Sequence, residues 1–125
     1  MNLDIAVKGL LQVRNDLRSR EGVIDPFFIS ERMQRLAQYT GAVEEHLGHL
    51  EEDQENIKLV AFHKYLAEGR SVNMAETLCR KEFGSHEGEI AKLSRLVKSS
   101  WALISTSQSR INHLQGEQRM GGRTT

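Results

Sequence analysis

The sequence predicts an all-α fold, an antiparallel hairpin of two long helices with short extra helices. Two heptad registers and one pattern of punctuation carry this. Ile29, Leu36, Val43, Leu50 and Ile57 stand seven apart, and Met33, Thr40, Leu47, Gln54 and Ala61 each follow one of them by four. Ile90, Val97, Ile104 and Ile111 repeat the spacing, with Leu93, Ser100, Ser107 and Leu114 three residues behind. Such stripes are coiled-coil-like seams, each leaving a broad wet surface. A single Pro and 6% aromatic residues suit helices better than a sandwich or barrel.

The elements follow in order. Residues 3–19 read as a first helix whose face is Leu3, Val7, Leu10, Leu11 and Leu17, with Arg14 intruding. A break is expected at Ser19–Gly22. Asp25-Pro26 opens the second helix: Asp25 caps the free N–H groups, and Pro26 sits where its missing N–H costs nothing. This helix is expected over 26–68, roughly 60 Å long at 1.5 Å per residue. Gly41 and Gly48 fall inside it and mark either a frayed or bent segment or a close helix–helix approach. Gly69 suits the residue just past a helix end.

Asn73 and Glu76 have capping-box spacing and open a short third helix carrying Met74, Leu78 and Cys79, which Phe83-Gly84-Ser85 is expected to break. The fourth helix is expected over 86–117, roughly 45 Å long. Two long helices joined through a short one must reverse direction. Residues 1–120 are read as one helical domain, and 121–125 as a disordered tail. The two stripes offer more apolar surface than a two-helix hairpin buries alone, so a homo-oligomer is expected.

Composition narrows the function classes. Apolar residues make 38% and charged residues 27%, in keeping with an elongated body with much exposed surface. Formal net charge is zero, with 17 Lys and Arg against 17 Asp and Glu. Cys79 is the only cysteine, so no internal disulfide forms, which fits a reducing cytosol; burial is the expected state of its thiol. The N-terminus lacks a basic head followed by an apolar run, so no signal peptide is expected, and no apolar stretch approaches the roughly 18 residues of a membrane span.

No residue cluster spells out a reaction. His46 and His49 have the i,i+3 spacing of a helical metal pair, but no further ligand set accompanies them. No glycine-rich phosphate loop follows a strand. No catalytic residue, metal or cofactor is expected, and the chain is read as a non-enzyme. Thr40, Gln54, Ser100 and Ser107 put polar groups on the seams, where they select register and partner at a cost in stability. Trp101 flanks the seam, a place for core edge, subunit interface or base stacking.

Charge distribution says more than net charge. Residues 43–55 hold Glu44, Glu45, Glu51, Glu52, Asp53 and Glu55 and no Lys or Arg. From 58 the balance reverses with Lys58, Lys64, Arg70, Arg80 and Lys81, and Lys92, Arg95 and Lys98 extend it. A hairpin would bring these cations to one end, near the turn. They form either an ordinary solvated surface or a local positive field for phosphate. Phe62, His63 and Tyr65 interleave with them, as core or as stacking platforms for single-stranded bases.

The order of parts resembles a known family. A long helix ends in the basic, aromatic segment Lys58-Leu59-Val60-Ala61-Phe62-His63-Lys64-Tyr65, and the polar turn Ala67-Glu68-Gly69-Arg70-Ser71 follows. A long helix then carries Trp101-Ala102-Leu103-Ile104 and Gln108-Ser109-Arg110-Ile111-Asn112-His113-Leu114. Over residues 29–115 this layout is similar to the UvsY-like phage recombination mediator family. The resemblance implies a small, ring-forming helical protein that binds single-stranded DNA. It implies partnership with a RecA-like recombinase, which such proteins help load onto strands covered by single-strand-binding protein, in the cytoplasm of a phage-infected bacterium. It makes Lys58 and Lys64 candidates for the family's DNA-contact segment, although Val60 and Phe62 interrupt the closely spaced Lys/Arg pattern. With the charge reversal, the expected nucleic-acid contacts are Lys58, Lys64, Arg70, Arg80, Lys81, Lys92 and Arg95. The alternative is a structural or regulatory helical adaptor, for phage assembly or partner-helix binding, that does not touch nucleic acid.

Overall fold

A computed structural model describes the backbone of residues 1–123 and the side chains of 1–82, 84 and 86–117. The described residues are helical almost throughout: α1 (Leu3–Leu17), a single turn α2 (Glu21–Ile24), α3 (Pro26–Ala67) and α4 (Val72–Arg123). They form two compact units, Met1–Val43 with Leu96–Thr125, and Glu44–Arg95.

The first unit is a three-helix arrangement built from α1, the start of α3 and the later part of α4. The Asn2 side chain accepts from the Ile5 N–H at 3.0 Å, and Asp4 lies in the first turn, so the start of α1 is capped and charge-matched. Its buried stripe is Ala6, Leu10, Val13 and Leu17, a clean 4-3-4 spacing. Leu11, expected on this face, is exposed. Arg14 is tolerated beside it because its guanidinium donates to Ser99 Oγ of α4 at 3.1 Å. Asp16 accepts from Arg32 Nε of α3 at 2.9 Å. Midway along α1, a Cβ on Gly9 would lie 2.4 Å from the Tyr39 ring, so glycine admits the tyrosine. These contacts fix α1 antiparallel to α3 and in the same sense as α4.

The expected break after α1 holds a further turn, α2. Gly22 is buried, and a Cβ there would sit 2.4 Å from the Leu17 carbonyl oxygen, a backbone atom that cannot move aside. Arg110 of α4 reaches this corner and donates to the carbonyls of Leu17 and Gly22. Those carbonyls terminate helical segments and lack intrahelical partners, so the cation both satisfies them and complements the dipole.

Asp25 caps α3 as expected, accepting from the N–H groups of Phe27 at 3.0 Å and Phe28 at 3.3 Å. The α3 seam is buried through this unit at Ile29, Leu36, Thr40 and Val43. Each aliphatic member contributes about 1.5–3 kcal/mol relative to exposure. On α4 the seam buries Val97, Ser100, Ser107 and Ile111. Thr40 and Ser100 satisfy their hydroxyls by donating to the carbonyls of Leu36 (2.6 Å) and Leu96 (2.8 Å) four residues back. Among the described residues, buried Ser107 has no hydrogen-bond partner for its hydroxyl.

The second unit is a helical hairpin formed by the end of α3 and the start of α4. Gly69 takes φ +84, and the N–H groups of Gly69 and Arg70 bond back to the carbonyls of Leu66 (3.0 Å) and Tyr65 (3.2 Å). This is a Schellman end, which only glycine enters without a Cβ penalty. Ser71 then caps α4, its hydroxyl accepting from the Met74 N–H at 3.2 Å. The helix therefore opens two residues before the expected Asn73 cap.

The expected break at 83–85 is absent: α4 continues from Val72 through to Arg123. The separate short helix, the start at 86 and the end at 117 are thus corrected to one helix. Part of the expected tail is helical to Arg123, and residues 124–125 lie outside the described residues. Nor does a close approach explain Gly41 or Gly48, since a Cβ at either would meet nothing within 4 Å. Both lie inside α3, which is continuous from Pro26 to Ala67.

The hairpin core is thin and made of small residues. Ala61 and Cys79 are buried against each other's helices with Ile57, Phe62 and Tyr65 around them. Leu47, Ala75 and Leu93 are also buried, whereas Leu50, Gln54 and Ile57 keep only partial cover. Two helices cannot enclose a seam. Accordingly Leu59, Val60, Leu66, Val72 and Met74 are exposed.

Candidate nucleic-acid interface

All seven proposed contact residues belong to the hairpin unit, and all are exposed. The fold groups them in three places. Lys58 and Arg80, one from each helix, line a groove with Gln54, Glu55, Phe62, Glu76, Cys79 and Glu87. Cys79 forms its floor, 1% exposed, with its thiol 3.7 Å from the Lys58 carbonyl as a weak donor. Three glutamates beside two cations make this groove mixed in sign rather than basic.

The second place centres on Tyr65. Lys64 Nζ stands 5.6 Å and the Arg70 guanidinium 5.9 Å from its ring centroid, both within cation–π range. Arg70 also reaches Glu68 at 3.6 Å. The Tyr65 hydroxyl donates to Glu82 across the hairpin. That hydrogen bond to a carboxylate pushes the Tyr65 phenol above its ordinary pKa, since ionisation would remove the donor and place two anions together. The ring is thus held by a clasp to Glu82 and flanked by two cations.

Lys92 and Arg95 make the third place, a shallow groove lined with Gly84, Gly88 and Glu89. Because α4 is unbroken from Val72, Lys92 stands twenty residues, or about 30 Å, along the helix from the turn. The shorter fourth helix expected from the sequence put Lys92 and Arg95 beside the turn; the continuous helix moves them away from Arg70. Lys81 is exposed and lines neither of these two grooves.

The charge of the whole unit runs opposite to the local basic run. Glu44–Arg95 holds seven Lys and Arg against eleven Asp and Glu, a formal −4. The other unit holds ten against six, a formal +4. Its exposed cations include Arg18 and Arg20, which the expected contact set does not contain. Trp101 is 41% exposed.

Among the described residues, no group of three His, Cys, Asp or Glu is placed to hold a metal ion, His46 and His49 included. No described helix is long and apolar enough to cross a membrane. Comparison with known proteins returns no matching family model, no matching curated protein and no matching solved structure.

Proposed function

We propose that this chain is a non-enzymatic recombination mediator that binds single-stranded DNA through its hairpin unit and works as a ring-like homo-oligomer. In that role it helps load a RecA-like recombinase onto strands covered by single-strand-binding protein, in the cytoplasm of a phage-infected bacterium. The observation that carries the reading is Tyr65 flanked by Lys64 and Arg70, with Lys58 and Arg80 lining the groove of the same hairpin. Cations interleaved with an aromatic are what sequence-independent binding of single strands requires. A hairpin that is formally −4 overall binds a strand weakly as one copy. Oligomerisation then matters, because linked weak patches gain effective concentration and act as one strong surface.

A second reading, a helical adaptor without nucleic-acid binding, draws on one specific observation: the hairpin exposes Leu59, Val60, Leu66, Val72 and Met74 around a net acidic unit. Those are features of a face for a partner helix. A labelled oligo-dT titrated at two salt concentrations separates the two. Nucleic-acid binding falls steeply with salt through counterion release, about 0.7 in log–log slope per phosphate contact. No binding at low salt refutes the mediator and leaves the adaptor.

A further inference from the structure

We infer that the hairpin groove between α3 and α4 discriminates among bases as well as holding the strand. It takes a phosphate between Lys58 and Arg80 and, beside it, a base whose exocyclic amine donates to Glu76, so cytosine is favoured over thymine. This deepens the nucleic-acid reading above and rests on it.

The order of groups along the groove is the first reason. The Cys79 thiol meets the Lys58 carbonyl at 3.7 Å, which sets Lys58 opposite Arg80. On α3, Phe62, Lys58 and Gln54 stand four residues apart on one face, about 6 Å from one to the next. On α4, Glu76 precedes Arg80 by the same step, and Glu87 lies beyond it. The two cations therefore hold the middle. An aromatic ring and a carboxylate, Phe62 and Glu76, stand on the side toward the turn.

The charges are also left open to a ligand. Lys58, Glu76, Arg80 and Glu87 are exposed and form no ion pair among the described residues. Carboxylates beside a purely phosphate-binding pair only weaken its field. As groups that accept and never donate, they complement a ligand that carries N–H donors next to its anion. A nucleotide with an amino base is such a ligand.

Size and spacing agree. The groove offers about 520 Å³, within the roughly 300–1,000 Å³ of small-ligand sites. A phosphate on the central pair puts the adjoining base about one helix turn along, at the half-buried Phe62 ring, with its Watson–Crick edge toward Glu76. Cytosine presents an N4 amine there, a donor for a carboxylate. Thymine presents O4, an acceptor that the carboxylate repels. Phosphate contacts hold any sequence, and Glu76 adds the preference.

Oligo-dC and oligo-dT of equal length, titrated separately onto the full chain at mildly alkaline pH, test it. The parent should bind dC about fivefold or more tighter than dT, the low end for one good contact between side chain and base. Glu76→Gln should remove the preference, since its amide donates to thymine O4 as readily as it accepts from the cytosine amine. Glu51→Gln removes the same charge from an exposed α3 position outside the groove and should keep the parental preference. Both side chains are exposed, so helix content by circular dichroism should match the parent. Equal binding of dC and dT by the parent, or a preference that Glu76→Gln leaves intact, overturns the inference and leaves the mediator reading standing. A parent that binds neither oligonucleotide overturns both.

Discussion

Removing a polar group should stabilise this protein. Ser107 lies on the α4 seam, 0% exposed, and its hydroxyl has no hydrogen-bond partner among the described residues. A buried hydroxyl left unpaired costs about 1–3 kcal/mol. Replacement by Ala removes that penalty and gains a few tenths of a kcal/mol, up to about 0.5, in helix propensity. The void left by one oxygen is smaller than a methyl group, which sets the opposing cost below about 1 kcal/mol. Ser107→Ala should thus stabilise by about 1–2 kcal/mol, raising Tm by roughly 3–8 °C for a chain of this length. Ser100→Ala is the control at the next seam position up the helix. Its hydroxyl already donates to the Leu96 carbonyl at 2.8 Å, so the lost bond, about 0.5–1.5 kcal/mol, should offset or exceed the propensity gain. Thermal unfolding followed at 222 nm should be run at one protein concentration, since self-association ties Tm to it. The reasoning is refuted if Ser107→Ala lowers Tm, or raises it no more than Ser100→Ala does.

Gly69→Ala forces a Cβ into φ +84 and should destabilise by about 1–2 kcal/mol in urea, whereas Gly48→Ala, with open space around it, should be neutral or stabilising. If both cost the same, the Schellman turn is not what ends α3. The Tyr65–Glu82 clasp should give the hairpin a pH dependence. The folded phenol titrates above its ordinary value of 10.0, so the contribution is present below pH 10 and is lost as pH rises through the folded value. Glu82→Gln should lower the Tyr65 midpoint in a 295 nm absorbance titration; an unchanged midpoint removes Glu82 as the cause.

The fold was legible in the sequence wherever periodicity and punctuation agreed. Asp25-Pro26 and Gly69 bound α3 because capping and left-handed backbone are local chemistry. Ile29, Leu36 and Val43 on α3, and Ser100 and Ser107 on α4, are buried because a period of seven aligns each set on one stripe. Gly84 does not end the helix, because the register runs through it. Cys79, His86, Leu93, Ser100, Ser107 and Leu114 are all seven apart, and Phe83 precedes Ile90 by seven, so the phase never shifts across the supposed break. A true interruption would have reset it, and a helix interior pays only about 1 kcal/mol for a glycine.

The site was less legible. Lys58 and Arg80, or Tyr65 and Glu82, are far apart along the chain and meet only through the turn. The formal −4 of the hairpin requires knowing both ends of the unit: the acidic run opens at Glu44, but nothing in the sequence separates Arg95 from Leu96. Arg110 carries no signal of its role either, because its partners are backbone carbonyls some 90 residues earlier in the sequence.

The most direct test of the central claim is oligo-dT binding by the parent and by Lys58→Ala/Lys64→Ala across a salt series. Both side chains are exposed, so helix content should not change. The parent should bind with a steep salt dependence. The double variant should bind every sequence more weakly and with a shallower slope, less by about 0.7 for each phosphate contact removed, since such contacts carry no sequence information. A double variant that binds as tightly as the parent at every salt concentration would contradict it.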